Sequence, residues 1–321
     1  MEKEKKKNKK NDCIGITYGD PASIGPEILY KTLKNYKFKL KPLIIDLDID
    51  IDIDKYTFCS NFKDHKKTCF KPGKVSKASG IHSYLCLKKA VLLAKNKKIS
   101  ALVTGPVSKY AINISKKNFK GQTDEIAEIC DLNPQNVIML FVSKDFRIAL
   151  FTRHIPLKLV SKKLKRQNLQ NFIKILNTEL KKWFKLKNPK IGILGLNPHA
   201  GENGLFGSEE NKIINPVIKS LKLKGYKIFG PLSPDATLAS AGQDYLQNKK
   251  QKYDAYVSFY HDQALPLFKA LAGKKGVNVT LGLPFLRASV DHGTAFDIAG
   301  KNKASNEGLV SAIKLVEELV N

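Results

Sequence analysis

From residue 11 onward, short apolar runs alternate with stretches of helical period. CIGIT (13–17) reads as a buried strand that runs into GDPASIGPE, where Gly25 and Pro26 mark a helix start, because proline's fixed φ and missing N–H suit the first helical position. KPLII (41–45) is a second strand. DLDIDIDID (46–54) alternates with period two, the pattern of an edge strand or extended loop with one wet, acidic face. Calcium would need those aspartates around a cage, and a strand sets them in a row. An amphipathic helix covers 80–97, and ISALVT (99–104) is a strand ending in GPVSK. NVIMLFVSKDFRIALFT (136–152) is two apolar runs around Ser143, Lys144 and Asp145, a predicted β-hairpin. Helical patterns fill 158–186 and 209–224, and a last helix covers 306–320. PKIGILGL (189–196), DAYVSF (254–259) and GVNVTLGLP (276–284) are further strands. Strands alternating with helices predict an α/β fold with a largely parallel sheet.

Length and charge narrow this picture. A chain of 321 residues holds one large α/β unit or two domains, and no repeat or low-complexity linker separates beads, so two interdigitated domains are expected. No apolar stretch approaches bilayer length, and MEKEKKKNKK lacks an apolar core behind its charges, so neither a membrane span nor a signal peptide is predicted and a cytoplasmic protein is expected. Cys13, Cys59, Cys69, Cys86 and Cys130 are scattered without CxxC spacing, which suits reduced thiols; Cys13 and Cys86, in apolar periodic segments, read as small core residues. The net charge is +27, and +23 without the first ten residues. The lysines are spread along the whole chain without interleaved aromatics, so no nucleic-acid partner is expected, although the field would attract phosphorylated metabolites.

Three of the six histidines share one context. His154 in FTRHIPL, His199 in GLNPHAGENG and His261 in SFYHDQALP each follow an apolar run, in a Gly-, Pro- and carboxylate-rich turn. Strand ends of this kind are where α/β proteins place chemistry. Three neutral imidazoles with open positions make a catalytic metal site, although the spacing matches no short zinc motif. Asp262 follows His261, Glu202 lies three residues after His199, and Asp235 sits in GPLSPDAT, predicted as a loop; each suits the second N–H of a ligating imidazole, or equally a turn or cap. Lys269, Asn278 and Arg287 come after the third histidine and are apt for a phosphate or carboxylate, or for a solvated face. His65 and His82 read as surface residues, and His292, in a polar turn, fits a structural or a functional role. Neither GxGxxG after a strand nor GxxxxGK[ST] is present, which excludes a Rossmann fingerprint and a P-loop. Ser108 and Ser208 have no GxSxG elbow and no evident base, which argues against a serine nucleophile.

GITYGDPASIGPEI, GPVSK, KGQTDEIAE, TRHIPL, LGLNPHAGENGLFGSEE, GPLSPDA, YHDQALPLFKAL and VNVTLGLPFLRASVDHGTAFDIAG follow one another along nearly the whole chain. In these motifs, taken in order, the sequence resembles the 4-hydroxythreonine-4-phosphate dehydrogenase family of vitamin B6 biosynthesis. The resemblance implies an isocitrate/isopropylmalate dehydrogenase-like fold, two α/β/α domains around a cleft, without a Rossmann fingerprint. Laid on this chain, it gives a basic tail at 1–10, a first domain of 11–118 plus 283–321, and a second of 119–282.

It also implies NAD(P)-dependent oxidation of 4-phosphooxy-L-threonine at its C3 hydroxyl, with loss of CO₂ to give 3-amino-2-oxopropyl phosphate. A homodimer with a shared active site is implied, and a divalent cation (zinc, magnesium or cobalt) held by His154, His199 and His261. Thr123, Lys269, Asn278 and Arg287 carry over as substrate contacts, and Gln122 stands where the family usually has a histidine. The implied roles are Lys269 or an oxygen on the cation as proton acceptor, with Asp235 and Asp262 as orienting groups. An amide at 122 cannot carry charge, so another phosphorylated four-carbon hydroxy acid is the nearby alternative substrate. A metal-dependent hydrolase or aldolase using the same ligands is the more distant one.

Overall fold

The computed structural model describes residues 12–46 and 70–320. The basic tail, the run 47–54, Cys59, His65 and Cys69 lie outside the described residues. The chain divides into two compact units. Unit 1 takes the chain up to Cys130, with Pro284–Arg287 and His292–Asn321; unit 2 is Asp131–Leu283 with Ala288–Asp291. Residues 119–130, assigned from sequence to the second domain, thus fall in unit 1.

In unit 1, β1 (Cys13–Thr17) is paired in parallel with β2 (Lys41–Ile44) on one side and β3 (Ala101–Thr104) on the other. Helix α1 (Gly25–Asn35) starts with Pro26 in its first turn, as the sequence predicts. Helix α2 (Lys77–Lys95) starts earlier than its apolar period suggested, because the Ser76 side chain accepts from the Ser79 N–H and caps it. Two short helices escaped the reading of the sequence: α3 (Lys109–Ser115), capped by Ser108 through the Ala111 N–H, and α4 (Gln122–Ile129). The GDPASIGPE and GPVSK turns pack backbone against backbone. A Cβ on Gly19 would lie 2.0 Å from the Pro106 carbonyl oxygen, where φ is +87°.

Unit 2 is built on the strand order β9-β4-β5-β8-β6-β7. The hairpin is present as β4 (Ile138–Ser143) and β5 (Phe146–Leu150), antiparallel, with Lys144 at φ 53° in its two-residue turn. β9 (Val277–Leu281) is antiparallel to β4. β5 is parallel to β8 (Ala255–Ser258), β8 to β6 (Ile191–Leu194), and β6 to β7 (Ile228–Leu232). The predicted helical stretch 158–186 is broken at Leu164 and Lys165, which separate α5 (Val160–Lys163) from α6 (Arg166–Trp183). A wide turn at Glu210–Ile214 leads into α7 (Asn215–Leu223).

Helices α8 (Pro234–Leu246) and α9 (His261–Ala272) cover an apolar cluster that includes Phe141, Phe146, Leu194, Leu238, Tyr256 and Phe268. Three candidate residues read as loop positions therefore stand on helices: Asp235 in the first turn of α8, and His261 and Asp262 as the first two residues of α9. Strand β10 (Leu286–Val290) begins in unit 1 and ends in unit 2, and α10 (Glu307–Val320) closes the described chain in unit 1.

Phe268 is fully buried and packs edge-on against Phe141, with ring centroids 5.6 Å apart. Truncation removes buried area and leaves a cavity, so Phe268→Ala is expected to lower stability by about 3–5 kcal/mol in a denaturant titration.

Candidate active site

The histidines are placed by strand direction. β5, β8, β6 and β7 are parallel neighbours in that order, so their carboxyl ends reach one edge of unit 2. His154 follows β5, His261 follows β8, His199 follows β6 and Asp235 follows β7. Adjacent strands lie about 4.8 Å apart, so groups carried past adjacent strand ends become neighbours. His154 and His261 are such a pair, with ring centroids 5.7 Å apart and ring planes at 40°. The Gln263 amide, one turn into α9, donates to the Gly195 carbonyl at 2.7 Å and ties the β8 end to the β6 end.

Each imidazole near a carboxylate is oriented by it. His261 Nδ1 is 2.7 Å from Asp262 Oδ1, and His199 Nδ1 is 3.2 Å from Glu202 Oε2. A proton held on Nδ1 leaves the Nε2 lone pair for a cation, which is how ligating histidines are normally set. Asp235 receives the Ser233 hydroxyl at 2.5 Å. That bond, then the Ala236 N–H and the neighbouring His199, hold its carboxyl below the usual range. Imidazoles backed by carboxylates suit a divalent ion of the zinc class. Within one chain, however, the donor atoms of His154, His199 and His261 do not gather within 4.8 Å of one another.

His199 sits in a left-handed loop. His199, Ala200, Gly201, Glu202 and Asn203 all have positive φ, between 39° and 78°. The buried Glu210 carboxylate holds this turn by accepting the Leu196 N–H at 2.8 Å, the Asn197 N–H at 2.9 Å and the Asn197 side-chain amide at 2.9 Å. Glu209 accepts the Ser161 hydroxyl at 2.6 Å and the Asn197 amide at 2.9 Å, and its carboxyl is lowered by these bonds.

The other sequence-derived residues are divided between the units. In unit 2, Lys269 on α9 is paired with Asp291, Nζ to Oδ1 3.0 Å, and is about half exposed. Asn278 on β9 has a buried Oδ1 with no hydrogen-bond partner, an acceptor open to a donor. In unit 1, Gln122 opens α4 and donates to the Gly105 carbonyl at 3.0 Å, while its Oε1 is buried and unpartnered; Thr123 beside it is buried. Arg287 on β10 is buried, with Nε and Nη2 both on Thr104 Oγ1 at 3.2 and 2.6 Å, and burial pushes its guanidinium down to about 9.

His292 is exposed, with Nδ1 3.1 Å from the Gly293 carbonyl. His82 is not the surface residue expected: its Nε2 lies 2.7 Å from the Tyr18 hydroxyl and 3.0 Å from Asp46. Cys86 is buried as expected, whereas Cys13 is only half-buried, its thiol pushed up by desolvation. Glu210 and Asp291 are functional candidates the sequence reading passed over. The signal for Glu210 was a carboxylate pair closing the NPHAGENG turn.

Among the described residues, no helix is long and apolar enough to cross a membrane. The family model for the pyridoxal phosphate biosynthetic protein PdxA matches residues 22–316. A 4-hydroxythreonine-4-phosphate dehydrogenase of Sulfurihydrogenibium is 38% identical, over 94% of this chain and 96% of its own. A D-threonate 4-phosphate dehydrogenase of Pectobacterium atrosepticum is 34% identical, over 95% and 98%. The crystal structure of a 4-hydroxythreonine-4-phosphate dehydrogenase from Klebsiella pneumoniae superposes with a TM-score of 0.78 at 29% identity, covering 96% of this chain and 99% of that one.

At Gly201, where φ is 78°, an added Cβ would meet Glu210 Oε2 at 2.7 Å. Gly201→Ala is therefore expected to cost about 1–3 kcal/mol of stability in a denaturant titration. A smaller effect would mean that the turn relaxes freely.

Proposed function

Because this chain belongs to the pyridoxal phosphate biosynthetic protein PdxA family, we propose that it is a 4-hydroxythreonine-4-phosphate dehydrogenase. It oxidises the C3 hydroxyl of the phosphorylated substrate with a nicotinamide dinucleotide, NAD or NADP, and the keto acid loses CO₂ on the way to pyridoxal phosphate. The observation that carries the reading is the row of His154, His261, His199 and Asp235 along one carboxyl edge of parallel strands, in a chain matched nearly end to end by this family.

His154, His261 and His199 would hold a divalent cation of the zinc class. When bound, the cation polarises the substrate hydroxyl and steadies the negative charge that builds as CO₂ departs. Asp262 and Glu202 keep Nδ1 protonated on their imidazoles and so present Nε2. Lys269, fixed by Asp291, offers an ammonium for the substrate's anionic end and a site for proton transfer. Asn278 Oδ1 accepts from a substrate hydroxyl or ammonium group, a role its buried, unpartnered state supports. Thr123 and Arg287 complete the substrate contacts by their match to the family pattern.

The third imidazole comes from a second copy of the chain. The donor atoms of His154, His199 and His261 do not gather within one chain, which supports a homodimer with shared sites. His154→Ala and His199→Ala, made separately, are each expected to abolish turnover followed as NADH or NADPH formation. Co-expressed, they should regain activity, because ligands drawn from two chains leave one intact site in each mixed dimer. Mixed dimers without activity would place all three ligands in one chain.

The choice between 4-hydroxythreonine 4-phosphate and D-threonate 4-phosphate turns on Gln122, the amide in the usual histidine's place. The first substrate is expected to give the higher kcat/KM. Gln122→His should lower KM most at pH below about 6.5, where an imidazole gains charge. Preference for D-threonate 4-phosphate would move this chain to the other activity named among its relatives.

A further inference from the structure

In unit 1, the end of β2 and one face of α2 bring together three side chains that the reaction does not use. His82 and Cys86 are four residues apart on α2 and so share a face. Asp46 follows β2. Its Oδ1 is 3.0 Å from His82 Nε2 and 3.9 Å from Cys86 Sγ. Each of the three offers one donor atom, and these atoms lie within 4.8 Å of one another; among the described residues no other group of His, Cys, Asp and Glu meets that spacing.

A hydrogen-bonded His–Asp pair explains the 3.0 Å separation. The Cys86 thiol donates to the same oxygen at 3.9 Å from the same helix face, so nitrogen, oxygen and sulfur converge on one point. A tetrahedral zinc with bonds of about 2.0–2.3 Å holds neighbouring donors about 3.3–3.6 Å apart. The two separations from Asp46 Oδ1, 3.0 and 3.9 Å, bracket that range, and the third pair lies within 4.8 Å. The surroundings also fit. Tyr18 donates its hydroxyl to Asp46 Oδ2 at 2.9 Å, the outer hydrogen bond that ligating carboxylates carry, and leaves Oδ1 toward the cluster. Lys89, further along α2, fixes the Asp46 carbonyl at 3.0 Å. Tyr18 stacks on the His82 ring and Phe70 meets it edge-on, with centroids 6.0 and 5.1 Å away. Side-chain exposure is 11% at His82 and 16% at Asp46, enough for an ion to enter and for water to take a fourth position.

We propose that Asp46, His82 and Cys86 form a second metal site, for a thiophilic divalent ion of the zinc class, that pins the end of β2 to α2. One nitrogen, one oxygen and one sulfur donor select zinc or cobalt over magnesium or calcium. The histidines of unit 2 have no thiol among them, and the Cys86→Ser variant tells sulfur coordination at this site from that of any other cysteine of the chain. Cobalt(II) titrated into the metal-free full-length protein is expected to give a thiolate-to-cobalt charge-transfer band. The band should be lost in Cys86→Ser and in His82→Ala and kept in Cys130→Ser. Its absence from the unaltered protein, or its survival in Cys86→Ser, overturns the proposal. X-ray absorption of the zinc-loaded unaltered protein gives a reading that no variant's folding can spoil. A sulfur scatterer at about 2.3 Å is expected, and a purely nitrogen and oxygen shell rejects the site.

Discussion

Parallel strand direction is the constraint on which the candidate site depends. Neighbouring strands that run the same way end at the same edge, whatever their separation along the chain. In unit 2 this applies to β5, β8, β6 and β7, and the order of groups along the edge is the order of strands in the sheet rather than in the sequence. His154 and His261 become neighbours because β5 pairs with β8, although the segment carrying His199 lies between them in the chain. β4 runs antiparallel to both β5 and β9, so β4 sends its carboxyl end the opposite way while β9 runs in the direction of β5. Asn278 is the second residue of β9, within the strand, whereas the three histidines lie beyond strand ends.

Much of this was legible in the sequence for a physical reason. Buried parallel strands are apolar throughout and short, so CIGIT, IGIL and AYVS stand out, and the polar turns after them mark the edge. Helix starts were harder to read. α8 carries Pro234 and Asp235 in its first turn, a recognisable start, yet GPLSPDAT reads equally well as a turn. The first turn of α9 hides behind Tyr260, which is not a capping residue. The environment of His82 had no local signal at all. Its partners Tyr18 and Asp46 are brought to it only by the pairing of β1 with β2 and the packing of α2.

Charge is managed differently in the two units. The ammonium of Lys269 is exposed and meets a carboxylate at the surface, where water screens the pair and an incoming anion can compete for it. Arg287 is buried beside Thr104, and desolvation disfavours its charged form. Asp20, in the GDPASIGPE turn, is also fully buried; desolvation raises its pKa, opposed by bonds from the Ala22 N–H and the Ser79 hydroxyl. Glu317, buried on α10, accepts from the Tyr36 hydroxyl and from the Lys39 and Leu40 amides, and so fastens the last helix to the approach to β2.

The turn from His199 to Asn203 limits how this scaffold can diversify. Five successive left-handed residues follow a segment held by the Glu209 and Glu210 carboxylates, and a side chain at position 201 has no room. Position 122, at the head of its own short helix, carries no such constraint, while the segment from 196 to 210 is held by its own carboxylates.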